Sequence, residues 1–475
     1  MREHCGIVGI YSKKKKNIVH DLIKALFALQ HRGQEGAGIS LWGNAGFSSY
    51  KNFGLINEVF KKEIVESLHG YIGIAHTRYS TEGESKNIYN IQPLTATFRK
   101  RHVAVAHNGT ISNFHEVKKE MEDEGTPFFS TSDSELILTL FTQYFDHPYV
   151  ERFARITEKL QGAYSVLIQE DDVILAYRDP LGFRPLVIGE NDNYIAIASE
   201  TVSLLQIGIQ TWKEIKPGEL VIIKNGFISS QQVTRASKKE QCIFELIYFS
   251  RPDSVTFGHN VYFFRKLTGK LLAKREDRDI DIVVPVPDSG IPAALGYAQE
   301  LGKPLEFGLI RSHYVGRSFI EPQERQNKVK MKLFPIKEVL QGKKIALIDD
   351  SLVRGTTSRE IIRLLRENGA MEVHFRLASP PITSPCFFGI DIPTREELMA
   401  SSRTLGEITH EIEADSVRYL SIEELHYAVG DDKDNFCYAC FTGHYNPASL
   451  PEARIAQLSK IKPIILSELK TNKLF

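Results

Sequence analysis

Short apolar runs rich in β-branched residues alternate, through the first half of the chain, with a segment whose apolar residues recur at helical spacing. The runs CGIVGIY (5–11), YIGIAHTRYS (71–80), HVAVAHNGTI (102–111), AYSVLIQ (163–169) and GELVIIKNG (218–226) predict strands. NIVHDLIKALFALQHRG (17–33) predicts a helix stopped by glycine. Together they describe a layered α+β domain. The polar, basic stretch SSQQVTRASKKEQ (229–241) reads as a boundary. Beyond it the pattern becomes α/β: DIDIVVPVPDSG (279–290) is a buried strand running into a turn, and KKIALIDDSLVRGTTSREIIRLLRENG (343–369) is strand, loop, helix and glycine stop. Strands alternating with helices in this way imply a mostly parallel sheet.

The 475 residues allow two or three domains of about 150 residues each. Hydrophobic residues make up 42% and charged residues 25%, the balance of a globular protein. Lys plus Arg and Asp plus Glu both number 59, so no overall positive field points to nucleic acid or to an anionic membrane. No apolar run approaches the ~20 residues of a membrane-spanning helix. The start lacks the form of a secretory signal, because its apolar stretch is short and KKKK follows it. A cytoplasmic enzyme acting on small molecules is expected.

In IALIDDSLVRGTT two adjacent carboxylates, Asp349 and Asp350, stand where an apolar strand leaves its sheet, the edge at which open α/β sheets bind ligands. The following residues open a helix, where free backbone N–H groups suit a phosphate. Carboxylates next to a phosphate repel it unless they grip sugar hydroxyls or act through a hard cation such as Mg²⁺. A phosphorylated ribose meets both demands. The string closely resembles the phosphoribosyl-diphosphate (PRPP) motif of type I phosphoribosyltransferases. That resemblance implies that Asp349, Asp350, Ser351, Arg354, Gly355, Thr356 and Thr357 bind PRPP, that Asp288, Ser289 and Gly290 of PVPDSG bind its diphosphate, and that Mg²⁺ sits by Ser289, Asp349 and Asp350. The polar, aperiodic segment 312–332 is the expected lid.

Cys5 poses a different question, since only MREH precedes it. A thiol at a chain terminus has its own α-amino group beside it, with a reference pKa of about 7.7–8.0, near enough to neutrality to act as a base. Loss of residues 1–4, a short propeptide, would free that amine. The strings LQHRGQEGAGI (29–39), AHTRYST (75–81), AHNGTISN (106–113) and TSDSEL (131–136) follow in order. They resemble the glutamine amidotransferase domain of the N-terminal-nucleophile (Ntn) hydrolases. By that resemblance Cys5 is the nucleophile, Arg78 takes the glutamine carboxylate, Asp133 its ammonium, Asn108 and the Gly109 N–H form the oxyanion hole, and Arg32 and Gly33 line the pocket.

Four cysteines remain, Cys242, Cys386 and the C-x-x-C pair Cys437 and Cys440. As a ligand set they suit zinc or an iron–sulfur cubane equally. Their surroundings, CIFELIYFSRPDS, SPPITSPCFFGID and CYACFTGHY, resemble the cluster-bearing branch of the glutamine PRPP amidotransferases. The resemblance extends from Cys5 to about Tyr445. It implies an αββα Ntn glutaminase domain over 5–235, a type I phosphoribosyltransferase domain with a C-terminal helical tail over 236–475, and bound Mg²⁺ and one 4Fe-4S cluster. It further implies glutamine and PRPP as substrates, purine nucleotides as feedback inhibitors and a homotetramer. Two other readings stay open: another Ntn-type amidotransferase, which should lack IALIDDSLVRGTT, and a non-enzymatic PRPP-binding regulator, which has no use for a glutamine pocket.

Overall fold

Alternation along the central strands of the first half sends successive side chains to two different cores, which explains why these strands are buried throughout. Ile7 packs between two sheets with Ile74, Leu167 and Ile197, while Val8 and Ile10 pack outward against the helix Val19–Phe27. The computed structural model describes residues 5–79, 87–236, 238–312, 333–390, 392, 394–451 and 465. The expected propeptide 1–4, all but the first residue of the lid 312–332, and all but Ile465 of the tail after 451 lie outside the described residues.

One sheet runs in the order Trp212–Glu214, Val187–Glu190, Tyr194–Ala198, Gly6–Ser12, Ile72–Arg78, Gly36–Gly43 and Gly46–Phe53, with every pair antiparallel. The other runs Phe227–Gln232, Glu219–Lys224, Val173–Arg178, Gly162–Glu170, Arg101–Ile111 and Leu94–Phe98. Its outer face is covered by the helices Ser134–Gln143 and Tyr149–Lys159 through Leu136, Phe141, Phe153 and Ile156. Helix, sheet, sheet, helix is the αββα order. The predicted helix 17–33 divides into Val19–Phe27 and a 3₁₀ turn, Gln30–Arg32. The strand Phe227–Gln232 carries regular structure into the stretch read as a boundary, because it pairs along its whole length with Glu219–Lys224.

The second half holds a parallel sheet in the order Ile282–Pro285, Lys344–Asp349, Glu372–Leu377 and Ser416–Tyr419. Val283, Ala346 and Ile348 face the helices Val261–Ala273 and Ile291–Leu301. Ile282, Val284, Ile345 and Leu347 face the amphipathic helix Thr356–Glu367 through Ile361, Ile362 and Leu365. Burying one such side chain contributes roughly 1.5–3 kcal/mol, so these two faces anchor the loops at the sheet's carboxyl edge.

The halves meet on buried charge. Arg32, from the 3₁₀ turn, donates to Glu200 at 2.7 Å and to Glu245 at 2.7 Å. Glu245 opens a π-helical turn, Glu245–Phe249, and also accepts from Arg184 at 3.1 Å and from the Ser250 hydroxyl at 3.1 Å. Arg32, Arg184, Glu200 and Glu245 are all buried. Breaking a buried pair from one side strands a charge, at a cost of about 3–5 kcal/mol, whereas exposed pairs contribute little. Glu245→Ala should therefore lower the urea midpoint markedly, by the equivalent of about 3–5 kcal/mol. Glu66→Ala, which removes the exposed Lys62–Glu66 pair, should leave the midpoint where it is.

Two candidate active sites and a cysteine-rich junction

Cys5 precedes the central strand Gly6–Ser12, whose register sets Gly6 opposite Thr77 and so brings the cysteine beside Arg78. Its thiol donates to the Tyr79 carbonyl at 3.4 Å. Arg78 and Asp133 both lie within electrostatic reach of the sulfur. Burial is the largest influence on the thiol and pushes it up to about 11. Asp133 stands at the start of the helix Ser134–Gln143, with one oxygen held at 2.9 Å by the Ile111 N–H.

Asn108 and Gly109 lie on Arg101–Ile111, the strand that bears the edge of this pocket. Asn108 is fully buried, and neither its amide nitrogen nor its amide oxygen has a hydrogen-bond partner among the described residues. An unpaired buried polar group costs about 1–3 kcal/mol, so this amide is a costly feature of the fold. Gly109 has φ +146, and a Cβ on it would lie 1.9 Å from the Ala163 carbonyl oxygen, so only glycine fits. The Gly33 carbonyl accepts from Thr77 at 2.8 Å at the pocket's side. The Arg32 guanidinium turns away into the ion pairs with Glu200 and Glu245, although its Nε still donates to the Cys5 carbonyl at 3.3 Å. Arg32 therefore holds the Cys5 backbone, and its guanidinium nitrogens are all engaged by protein partners.

A cavity of about 330 Å³ opens at the carboxyl edge of the parallel sheet. Ser289, Asp349, Asp350, Ser351 and the run 354–357 line it, and the helix Thr356–Glu367 starts at its wall with Gly355 as N-cap. Burial and the charge of Asp350 hold the Asp349 carboxyl well above the ordinary carboxylate range. Among the described residues no lysine or arginine forms an ion pair with either carboxylate. Two crowded carboxylates with a hydroxyl at hand are a fitting donor set for a hard divalent cation and its water shell. Gly290 caps the helix Ile291–Leu301 behind the loop and does not line the cavity, while Arg354 points outward to Glu397 at 2.8 Å. Asp288 lines a neighbouring cavity of about 450 Å³, paired with Arg311 at 2.5 Å. Gln30 and His31 of the first half line that same cavity, and Ser289 borders both.

The remaining cysteines converge from three segments. Cys242 and Cys437 are register partners in a short parallel pair, Cys440 lies on Ala439–Thr442, and the Cys386 sulfur accepts from the Phe388 N–H at 3.3 Å. None forms a disulfide. The Cys440 thiol feels Cys437, Cys386 and Cys242 at once, and burial raises all four. Among the described residues no set of three or more His, Cys, Asp or Glu is arranged to hold a metal ion. The thiols are thus a compact all-sulfur donor set whose atoms are not gathered around a point.

The glutamine amidotransferase domain family matches residues 76–206 and the phosphoribosyl transferase domain family residues 261–378. An amidophosphoribosyltransferase of Methanocaldococcus jannaschii is 44% identical over 93% of this chain and 97% of its own length. A chloroplastic amidophosphoribosyltransferase 2 of Arabidopsis thaliana is 45% identical over 94% of this chain and 79% of its own. The chain belongs to the amidophosphoribosyltransferase family. The glutamine PRPP amidotransferase of B. subtilis, solved with ADP and GMP, superimposes with a TM-score of 0.88 at 40% identity, covering 94% of this chain and 98% of that one.

Within this amidophosphoribosyltransferase frame, several site residues escaped the motif reading. Tyr248 lines both cavities of the second half. Arg265 is buried beside them, donating to the Leu246 and Ser250 carbonyls at 2.8 Å. His76 and His107 are buried, and burial lowers both, His76 to about 3, so they are neutral at physiological pH. Tyr248 lies inside a string quoted for its cysteine, and His76 and His107 inside strings quoted for their neighbours; nothing in composition marked Arg265.

Because burial disfavours the Cys5 thiolate, its population rises with pH up to about 11. In the untrimmed chain, iodoacetamide labelling of Cys5, read by peptide mass mapping, should accelerate about tenfold per pH unit between 7 and 9 with no plateau. A plateau near pH 8 would contradict this environment.

Proposed function

We propose that the chain makes 5-phosphoribosylamine, glutamate and diphosphate from PRPP, glutamine and water, the first committed step of purine synthesis. The observation that carries this reading is a thiol beside Arg78 and Asp133 in one half and an acidic cavity at the carboxyl edge of the parallel sheet in the other, with a cavity next to the second that residues of both halves line. Residues 1–4 are removed as a propeptide, and the division lies between a glutaminase over 5–235 and a phosphoribosyltransferase over 236–475.

The freed α-amine accepts the Cys5 proton as sulfur attacks the glutamine carboxamide carbon, then returns it to the departing ammonia; water hydrolyses the thioester to glutamate. Arg78 holds the substrate carboxylate, Asp133 its ammonium, and Asn108 with the Gly109 N–H faces the developing oxyanion. Ammonia passes through the shared cavity instead of bulk water, where it would be mostly protonated. At the second site the N–H groups of residues 355–357 hold the 5-phosphate, Asp349 and Asp350 the ribose hydroxyls, and Asp288, Ser289 and Gly290 the diphosphate. Mg²⁺, held by Ser289, Asp349 and Asp350, neutralises charge on the leaving diphosphate when bound. Ammonia displaces diphosphate at C1 with inversion.

Cys242, Cys386, Cys437 and Cys440 would hold a 4Fe-4S cluster that braces segments distant in sequence; what supports this is that the four buried thiols converge from three segments and that Cys440 lies within electrostatic reach of the other three. Feedback by purine nucleotides is supported by the B. subtilis relative, solved with ADP and GMP. Assembly as a homotetramer rests on the resemblance alone. No helix among the described residues is long and apolar enough to cross a membrane, which agrees with a cytoplasmic enzyme.

Cys5→Ala should lower glutamine-dependent synthesis by more than about 10³ while keeping most of the ammonia-dependent reaction, and Asp350→Asn should abolish both. Equal loss of both reactions in Cys5→Ala would defeat the two-site reading, and so would active enzyme whose mass retains residues 1–4. Protein purified without oxygen should carry roughly four iron and four sulfide per chain and lose both in Cys437→Ser. Stoichiometric zinc instead would overturn the cluster assignment.

A further inference from the structure

The oxyanion strand of the first half is backed by loops of the second. The loop 386–390 arrives from beyond the parallel sheet and seats Phe388 on Phe183, ring centroids 4.3 Å apart, in a small apolar cluster that includes Ala163. Ala163 pairs with Thr110, next to Gly109. At Gly389 the contact becomes direct: a Cβ there would lie 3.0 Å from the Gly109 carbonyl carbon, 3.2 Å from its Cα and 3.1 Å from Arg184 Nη2, and its φ is +97. Arg184 clamps the loop by donating to the Phe388 carbonyl from Nε at 3.1 Å and from Nη2 at 2.5 Å. Its third nitrogen reaches Glu245, which holds Arg32, which in turn holds the Cys5 carbonyl. A second strap lies beside it, the Ser112 hydroxyl donating to the Ser449 carbonyl at 2.6 Å.

We propose that Gly389, a residue of the phosphoribosyl half, is a positioning residue of the glutaminase: its missing side chain lets the 386–390 loop seat against Gly109, and Arg184 locks that seat to the ion pairs that hold Cys5. The inference rests on the reading of Asn108 and Gly109 as the oxyanion hole. It gives the two halves a mechanical link through the back of that hole, distinct from the cavity they share, and makes Cys386, three residues away, part of the same loop. Donors aimed at a developing charge must be held within about 0.5 Å, and misplacing reacting groups by about 1 Å costs about 10² in rate. A methyl group at 389 forces a shift of a few tenths of an ångström onto Gly109 itself.

The test compares Gly389→Ala and Arg184→Lys with wild type in the full-length, processed enzyme. The lysine keeps a charge for Glu245 but gives up the paired grip on the Phe388 carbonyl. Each variant should show glutaminase kcat reduced about tenfold or more, with the KM for glutamine and the ammonia-dependent reaction within about twofold of wild type. The aldehyde analogue of glutamine, which forms a tetrahedral adduct with the Cys5 sulfur, should lose affinity in proportion to the fall in kcat, while glutamate binds as before. Unchanged glutaminase kcat, or parallel loss of the ammonia-dependent reaction, would overturn the proposal. Should Gly389→Ala not fold, Arg184→Lys alone decides by the same criteria. The parent reading is judged separately: glutaminase activity surviving in Cys5→Ala removes the oxyanion hole's purpose, whatever the other variants do.

Discussion

A single buried carboxylate, Glu245, stands between two guanidiniums that belong to different tasks. Arg32 carries its hold to the backbone of Cys5, and Arg184 carries it to the loop of Cys386. In a low-dielectric interior such charges are stable only as a complete set, since each is costly alone. Glu200 completes the set. Although burial opposes it, the charges of His31 and Arg32 and a hydrogen bond from Ser254 hold its carboxyl well below the usual range. The halves are thereby fixed in one relative placement, because separating them would break charge pairs that water cannot reach.

That fixed placement is what makes a shared cavity meaningful. Gln30 and His31 sit next to Arg32, while Ser250 and Arg251 follow the π-helical turn that begins at Glu245. One wall of the cavity is therefore a continuation of the ion-paired elements, while Pro287, Asp288, Ser289 and Arg311 supply another. π-Helical turns interrupt regular helix where function demands it, and this one aims Glu245 at the interface while Tyr248 reaches the phosphate-type cavity.

The two chemical sites follow opposite electrostatic designs. At Cys5 desolvation outweighs the neighbouring charges and raises the thiol, and burial lowers His76 and His107. Around Asp349 and Asp350 negative charge is crowded, Arg265 is within electrostatic reach of Asp350, and among the described residues no lysine or arginine forms an ion pair with either carboxylate.

Much of this was legible in the amino-acid order. Continuous runs rich in β-branched residues marked the strands 5–11, 102–111 and 163–169 to within a residue, since both faces of each are covered. Local chemistry marked Asp349 and Asp350, because a strand end, an acidic pair and a helix start are contiguous in sequence. Arg32 was recognised, but its guanidinium serves an interface: the carboxylates that claim it are 168 and 213 residues away, and no local pattern encodes a partner at that distance. The same holds for Gly389 against Gly109 and for Arg184 against Phe388. Sequence by itself determined which groups the protein carries and which elements hold them, through short-range periodicity and turn chemistry. Only the tertiary structure decided which charges meet and which loop backs which strand, because those choices depend on burial shared between chain segments that neither segment contains alone.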